Sequence, residues 1–556
     1  MKKITLSALL FLPLSWVMGQ VTLGFDSLNV NTLKLAVYSD GGLENIQTTD
    51  ESKSLIYTQH LWLGGYDDNS ILHQSFETYR QGLLGFTSGP VSTDPDVFLN
   101  YNRVYTVSQQ DIATVVNSAG GTVPPSVADW PAHGDTTENE AWLLAPFIDV
   151  DNDGVYNPSN GDYPSIKGDV AIYSIFNDSI LVANNGLGVE IHAMTYAYNT
   201  GTIQDSIVYT DYRIINRSPR NYHDIYLGLF ADFDIGNSRD DILGTNINAN
   251  SVFAYNGDSI DELNFNGFGS RLATAGIRIL EGPYADFLDG LDNDRDGCLD
   301  GVKDLQGNCV PENLTTGVRE RINLSGSMYY FNNASFTGNP SIEEDYYHYL
   351  QSRWKDGNQL VIESPSGQYN NSNGDGYIST GSGTPTSFMF PGNTFDTTGS
   401  YNPAAPTNWF CAPSNSADQR SLASMGPFSL QSGEQTTLKT AVIWARADSG
   451  KIGYDLINKR LENLGQYASN QPPNPFSLNH IVPQKEFNYY YQQEEWFIHN
   501  GEKMPLEFNV LNLQGQLINS FKVAAQSNGQ IPLASLPHGV YLIQLPGSNQ
   551  NFKVQK

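Results

Sequence analysis

Apolar residues recur at every second position in short stretches along most of the chain, and each stretch ends at Gly, Asn, Asp or Pro. That period predicts half-buried strands at 32–38, 54–63, 170–176, 189–198, 206–215, 225–230, 275–280, 360–363 and 435–446. The runs 189–198 and 206–215 meet at Asn199-Thr-Gly201 and read as a hairpin. Residues 451–467 place Ile452, Leu456, Leu461 and Leu464 on one helical face, and 111–116 suits a shorter helix. Residues 364–420 are rich in Gly, Ser, Asn, Thr and Pro, which predicts long loops over one end of the fold. No period of about 20 to 50 residues recurs, which argues against a solenoid or propeller. The expected fold class is mainly β: a β-sandwich-type main body with long loops and one C-terminal helix, followed by a small β-sandwich module.

Composition agrees with that pattern. The chain has 556 residues, enough on length for two or three domains. Its 31 Tyr, 26 Phe and 51 Gly suit pleated strands and the turns between them. A hydrophobic content of 39% allows a large core. The formal charge of −29 repels phosphate backbones and anionic lipid, so nucleic acid and phospholipid are poor partners. It also favours divalent cations wherever acids crowd together. Only 3 cysteines are present. Cys298 and Cys309 bracket a short loop, where a bridge would stabilise by about 3 kcal/mol. Cys411 reads as a small buried hydrophobe.

The two ends speak about destination. Lys2 and Lys3 precede an apolar run over 4–18 and a small Gly19, the pattern of a secretory signal peptide at 1–19. That run is too short to span about 30 Å of hydrocarbon, and no later stretch approaches about 20 apolar residues, so no transmembrane segment is expected. At the other end, Phe508-Asn-Val-Leu-Asn-Leu-Gln-Gly515-Gln516, Asn528-Gly-Gln-Ile-Pro-Leu533 and Leu536-Pro-His-Gly539-Val-Tyr541 are short strands separated by Gly and Asn turns. This series resembles the type A C-terminal sorting domain of cargo exported by the type IX secretion system of Bacteroidota. It covers about 495–556, and the stretch 487–499 lacks that family's usual opening strand. The resemblance implies type IX secretion machinery as a partner and a secreted or cell-surface location, reached through the periplasm and outer membrane. The periplasm the chain would cross is oxidising, which permits a Cys298–Cys309 bridge, and the sequence leaves open whether the two are joined. The expected organisation is a signal peptide at 1–19, an N-terminal β-rich region at 20–145, a central β-sandwich body with Asp-rich loops at 146–468, a linker at 469–483 and the sorting domain at 484–556.

Two acidic loops hold the clearest chemistry. Asp149, Asp151 and Asp153 alternate at positions 1, 3 and 5, Gly154 stands at 6 and Asn157 at 9. A tight turn of that kind aims several oxygens at one point, as Ca²⁺ requires. Val155 at position 7 can contribute only its backbone carbonyl, and Asp162 lies close enough to add an oxygen. Position 12 is Asn160 instead of a bidentate Glu, which excludes an EF-hand sensor. The second loop repeats the pattern with Asp292, Asp294, Asp296, Gly297, Cys298 and Asp300, with Asp304 close behind. Structural Ca²⁺ is therefore the expected cofactor, bound weakly at ~10⁻⁴–10⁻³ M. The plain alternative is a pair of solvated Asp/Asn/Gly turns. A third acidic run, from Asp232 and Asp234 to Asp240 and Asp241, suits either a cation or a salt-bridged loop.

Leu61-Trp-Leu-Gly-Gly-Tyr66, Trp130-Pro-Ala-His-Gly-Asp135, the 145–158 loop, 161–169, Ile215-Asn-Arg-Ser218 and Ala231-Asp-Phe-Asp-Ile-Gly236 form an ordered series. It resembles a group of large, uncharacterised exported Bacteroidota proteins and implies no reaction. His-Glu-x-x-His, Gly-x-Ser-x-Gly, Cys-x-x-Cys and phosphate-loop motifs are all missing from the sequence. His133 and His192 read as structural. Tyr329–Phe331 and Tyr346–Tyr349 read as strand residues of the core, with sugar stacking as the competing role. The leading expectation is a non-enzymatic exported protein that binds an extracellular glycan or protein. The alternative is a secreted glycan-acting hydrolase with paired carboxylates from 232–241 or 344–345.

Overall fold

The structure, a computed structural model, describes residues 22–79, 85–178, 185–304, 306–314, 317–362, 376–377, 383–392, 409, 411, 418–448, 453–469, 487–492, 495–500, 505–512, 517–524, 527–534, 536–537, 539–545 and 551–556. The signal-peptide reading at 1–19, most of the loop region 364–420 and the linker lie outside them.

Two antiparallel sheets form the body. The first runs in the order Phe25–Asn29, Leu33–Tyr38, Leu43–Thr48, Ser54–Asp67, Tyr222–Phe233, Gln419–Leu430, Gly326–Phe331, and Leu72–Phe76 pairs beside Ser54–Asp67. The second runs Asp241–Asn246, Ser251–Asn256, Ala273–Glu281, Gln435–Arg446, Ile207–Asn216, Val189–Ala197, Val170–Asn177, Thr87–Ser88, and Tyr105–Ser108 also pairs with Val170–Asn177. The fold is mainly β, as the alternation predicts. The hairpin at 199–201 pairs Val189–Ala197 with Ile207–Asn216, from Val189↔Asn216 to Ala197↔Val208. One hydrophobic core extends from Leu28 to Leu464. The pattern-based division at 145/146 falls inside it, because Ser54–Asp67 pairs with Tyr222–Phe233 across that point.

Each sheet is covered by a helix. Tyr454–Ser469 lies on the second sheet and buries Ile457, Leu461 and Leu464. The face differs from the predicted one: Leu456 is only half-buried and Ile457 is inside, while Ile452 is not among the described residues. The helix packs closely because Gly276 lies beneath it; a Cβ there would sit 3.1 Å from both Leu461 methyls. Glu343–Leu350 covers the first sheet, so Tyr346–Tyr349 are helical and not on a strand. Three acids in its first turn favour a helix start. Tyr346 stacks on Phe76 with centroids 3.4 Å apart and meets Trp62 edge-on at 4.9 Å. Trp62 is fully buried and stacks on Phe230 at 5.4 Å.

The C-terminal strands have their own core, which includes Ile498, Phe508, Val510, Tyr541 and Ile543. Phe487–Gln492, Glu495–Asn500 and Ser527–Gln530 form one small sheet. Leu517–Val523, Leu506–Leu511, Val540–Gln544 and Asn551–Gln555 form the other. An opening hairpin is therefore present at 487–500, against the sequence-based expectation. Its run of Tyr and Gln masks the apolar alternation, but the register Phe487↔Asn500 to Gln492↔Glu495 is unbroken.

Candidate metal centres

The two Asp-rich loops share one backbone design. Position 4 is left-handed in both, at Asn152 (φ 62°) and Arg295 (φ 58°), and so is position 6, at Gly154 (φ 81°) and Gly297 (φ 92°). The position-1 carboxylate gathers the turn's amides. Asp149 accepts from Asn152 N at 2.7 Å, Asp153 N at 3.3 Å and Gly154 N at 2.8 Å. Asp292 accepts from Asp296 N at 3.1 Å and Gly297 N at 3.0 Å. At position 5, Asp153 and Asp296 each accept at 2.8 Å from the amide of position 7, Val155 and Cys298. Each carboxylate oxygen has two acceptor sites, so these bonds orient the acids and leave lone pairs free.

In the first loop, carboxylate oxygens of Asp149, Asp151 and Asp153 lie within 4.8 Å of one another. Asp162 is fully buried and accepts from Val150 N and Asn157 N, both at 2.8 Å, which clamps the two arms of the loop. Burial raises its pKa, and the charges of Asp149 and Asp151 add to the effect. Asn157 Oδ1 accepts from Ser159 N, and Asn160 donates to Asp151 at 3.0 Å.

The second loop assembles differently from the sequence reading. The structure brings Asp292 and Asp294 together with Glu320, again within 4.8 Å. Asp296 Oδ2 accepts from Lys303 N, Asp300 accepts from Gly290 N, and Asp304 accepts from Gln306 N and Asn308 N. Those last two carboxylates therefore shape neighbouring turns. Glu320 is 1% exposed and its Oε1 accepts from the amides of Asn293 and Asp294. Burial pushes Glu320 up to about 7 and Asp294 up to about 6, with Asp292 reinforcing both. A bridge joins Cys298 and Cys309 with Cα atoms 5.4 Å apart. Arg295 points away from the acids to Leu324 O, Ile247 O and Asn250, fastening the loop to the body. No local signal marks Glu320. It lies between Arg319 and Arg321, a run that reads as a solvated charged surface.

An all-oxygen set of clustered carboxylates on a preorganised turn fits a hard cation such as Ca²⁺. The third acidic run divides between two groups: Asp232 and Asp234 meet Asp418, and Asp240 meets Asp258 and Glu262. In the former, Asp232 accepts from Tyr79 OH at 2.8 Å and Arg420 lies 3.5 Å away, so a cation is already provided by the protein.

The two histidines singled out in the sequence, His133 and His192, are both held by hydrogen bonds. His133 Nε2 accepts from Tyr156 N at 2.8 Å and Nδ1 faces Trp142 O at 3.1 Å, which defines a neutral ring whose pKa burial lowers. His192 contacts Glu190 at 2.8 Å and Tyr173 OH at 3.0 Å. Asp345 caps its helix by accepting from Ser341 and Ile342 amides and lies 3.8 Å from Lys355. Burial pushes the Cys411 thiol up to about 11, which leaves it unreactive. Beside the first loop, a cleft of about 430 Å³ is lined by Tyr101, Arg103, Tyr105, Asp129, His133 and Glu140, among others.

Comparison with known proteins locates the C-terminal module. A family model described as the secretion system C-terminal sorting domain matches residues 492–556. This type IX tail marks the chain as a secreted or cell-surface protein and implies that it engages the type IX secretion machinery. No helix among the described residues is long and apolar enough to cross a membrane. No curated protein matches the chain. The solved structure of a GalM/aldose epimerase homologue from C. elegans is similar over 77% of this chain and 100% of that one, at 7% identity and a TM-score of 0.20. A likeness that slight carries no argument about fold or activity.

Proposed function

We propose that this is an exported, non-enzymatic protein of Bacteroidota whose β body is stiffened by Ca²⁺ and binds an extracellular glycan or protein. Its main body then belongs with the large exported proteins named above. The observation that carries the calcium reading is the shared design of the two loops. Both use left-handed residues at positions 4 and 6 and a position-1 carboxylate holding the turn's amides, and both collect three carboxylates within 4.8 Å. Like charges that close repel unless a cation bridges them.

The ligand surface we favour is the cleft beside the first loop. His133 lies in its wall and bonds the amide of Tyr156, which follows the acidic turn, so bracing that turn positions the wall. Tyr101 lines this cleft, and Arg103, held over the Tyr105 ring and paired with Asp129 at 3.0 Å, is half-exposed at its edge, a setting suited to a polar sugar or peptide group. Calorimetry with CaCl₂ tests the first part: heat of binding at both loops is expected, and Asp149→Asn and Asp292→Asn should each remove one component. Glycan and peptide panels on the calcium-loaded protein test the second. Turnover of any panel member would refute the non-enzymatic reading.

A further inference from the structure

The turn after Tyr222–Phe233 and the turn after Ser251–Asn256 bring acids from two parts of the chain to one end of the second sheet. Carboxylate oxygens of Asp240, Asp258 and Glu262 lie within 4.8 Å of one another. Both carboxylate oxygens of Asp240 are buried without a well-formed hydrogen bond, and the polar side chains that face them are Asn256 and Glu262. Among the described residues no ion pair involves Asp240, Asp258 or Glu262; the nearby Arg239 lies over the Phe265 ring, 5.1 Å from its centroid.

Independent of that cluster, two fully enclosed polar side chains at its base are left incomplete. Asn256 is 1% exposed and stands opposite Asp241, which is 3% exposed, in the strand register. Asn256 Oδ1 accepts from Asp258 N at 3.0 Å, which turns Nδ2 toward the Asp240 carboxylate without a well-formed hydrogen bond. Asp241 Oδ2 accepts from Ile235 N at 2.8 Å while its Oδ1 has no donor. Leaving a buried ionised oxygen without a partner costs several kcal/mol. Three carboxylate oxygens, two of Asp240 and one of Asp241, are thus buried at one place without a well-formed hydrogen bond.

The surrounding frame is complete by contrast. Asp261 is fully buried and both its oxygens accept backbone amides, from Asn237 and Phe268. Asn237 donates to Glu262 Oε2 at 2.7 Å, and Ile260 N donates to Asp258 Oδ1 at 2.8 Å. One oxygen each of Glu262 and Asp258 is thereby oriented by the protein while the other remains available. Asp258 is exposed, which opens the cluster to solvent on one side and admits water ligands.

We infer that Asp240, Asp258 and Glu262 form a further binding site for a hard divalent cation, Ca²⁺, with Asp240 bidentate and water completing the shell. The donor set is all oxygen, and among the described residues no basic side chain pairs with its three carboxylates. A cation of charge two between them gives both Asp240 oxygens a partner, and water held in its shell can reach the Asp241 and Asn256 atoms. The competing arrangement is a proton shared by Asp240 and Glu262 with no metal.

Crystals of the mature full chain grown in CaCl₂ and measured at long wavelength would show an anomalous peak enclosed by these three carboxylates. Peaks confined to the Asp149 and Asp292 loops would overturn this inference and leave the proposed function standing; a peak here alone would do the reverse. Equilibrium dialysis with radioactive calcium gives a second readout. Asp240→Asn should lower the bound calcium by one equivalent per chain, while an unchanged count would establish the shared-proton arrangement instead.

Discussion

Glu320→Gln tests the second metal centre through its charge. In the calcium-free protein Glu320 is 1% exposed and burial pushes it from 4.5 up to about 7. The folded state therefore binds this proton more tightly than the unfolded chain does. The resulting stabilisation is complete below about pH 4.5 and is lost as pH rises through 7. Between pH 5 and 7.5 that shift corresponds to a loss of about 2 kcal/mol. Asp294, up to about 6, adds to the slope in the same direction. Glutamine keeps the oxygen that accepts from Asn293 and Asp294 and removes the titration. In EDTA at pH 7.5 the variant should thus be more stable than the parent by about 3 kcal/mol, or roughly 3 °C in Tm for a body of this size. At pH 5 the difference should shrink to about 1 kcal/mol or less. With Ca²⁺ the order reverses at pH 7.5, because the cation favours the ionised acid that the variant lacks. Calorimetry of parent and variant at both pH values, with and without calcium, measures all four differences. Calcium binding by the parent at pH 6.5 should also release about one proton at this centre. A variant that is less stable in EDTA at pH 7.5, or that keeps the whole calcium increment, would refute the reasoning.

Asp162→Ala removes two charge-assisted bonds and orphans the Val150 and Asn157 amides, so it should cost about 3–5 kcal/mol in chemical denaturation. Replacing both Cys298 and Cys309 with Ser should cost about 3 kcal/mol and weaken calcium at the second loop while sparing the first, as titration calorimetry would resolve. Trp62→Ala should cost about 3–5 kcal/mol, because it empties a fully buried site between Phe230 and Tyr346. Deleting residues 484–556 should leave the melting of the body unchanged, since the tail strands have a separate core, and should hold the protein in the periplasm; normal secretion of the truncated chain would refute the role of the tail.

Strand positions were legible wherever alternation was strong. The run 435–446 coincides with Gln435–Arg446, and 170–176 falls one residue short of Val170–Asn177. Legibility failed where burial was not periodic in sequence. Tyr346–Tyr349 looked like a strand because aromatics favour pleated surfaces, and a capped helix over Trp62 and Phe76 prevailed. In the 487–500 hairpin, Tyr and Gln hid the alternation that backbone pairing then supplied.

The sequence by itself determined whatever depends on near neighbours. It set the tight acidic turns at Asp149 and Asp292, the Cys298–Cys309 loop and the strand-turn rhythm of the sorting tail. Tertiary structure alone decided which acids share a centre. Glu320 joins Asp292 and Asp294, Asp418 joins Asp232, and Asp258 and Glu262 join Asp240. Each pairing links segments remote in the chain through sheet order and turn position. Chain spacing cannot register a carboxylate delivered from another strand, because the electrostatic and packing forces that assemble these groups act through space.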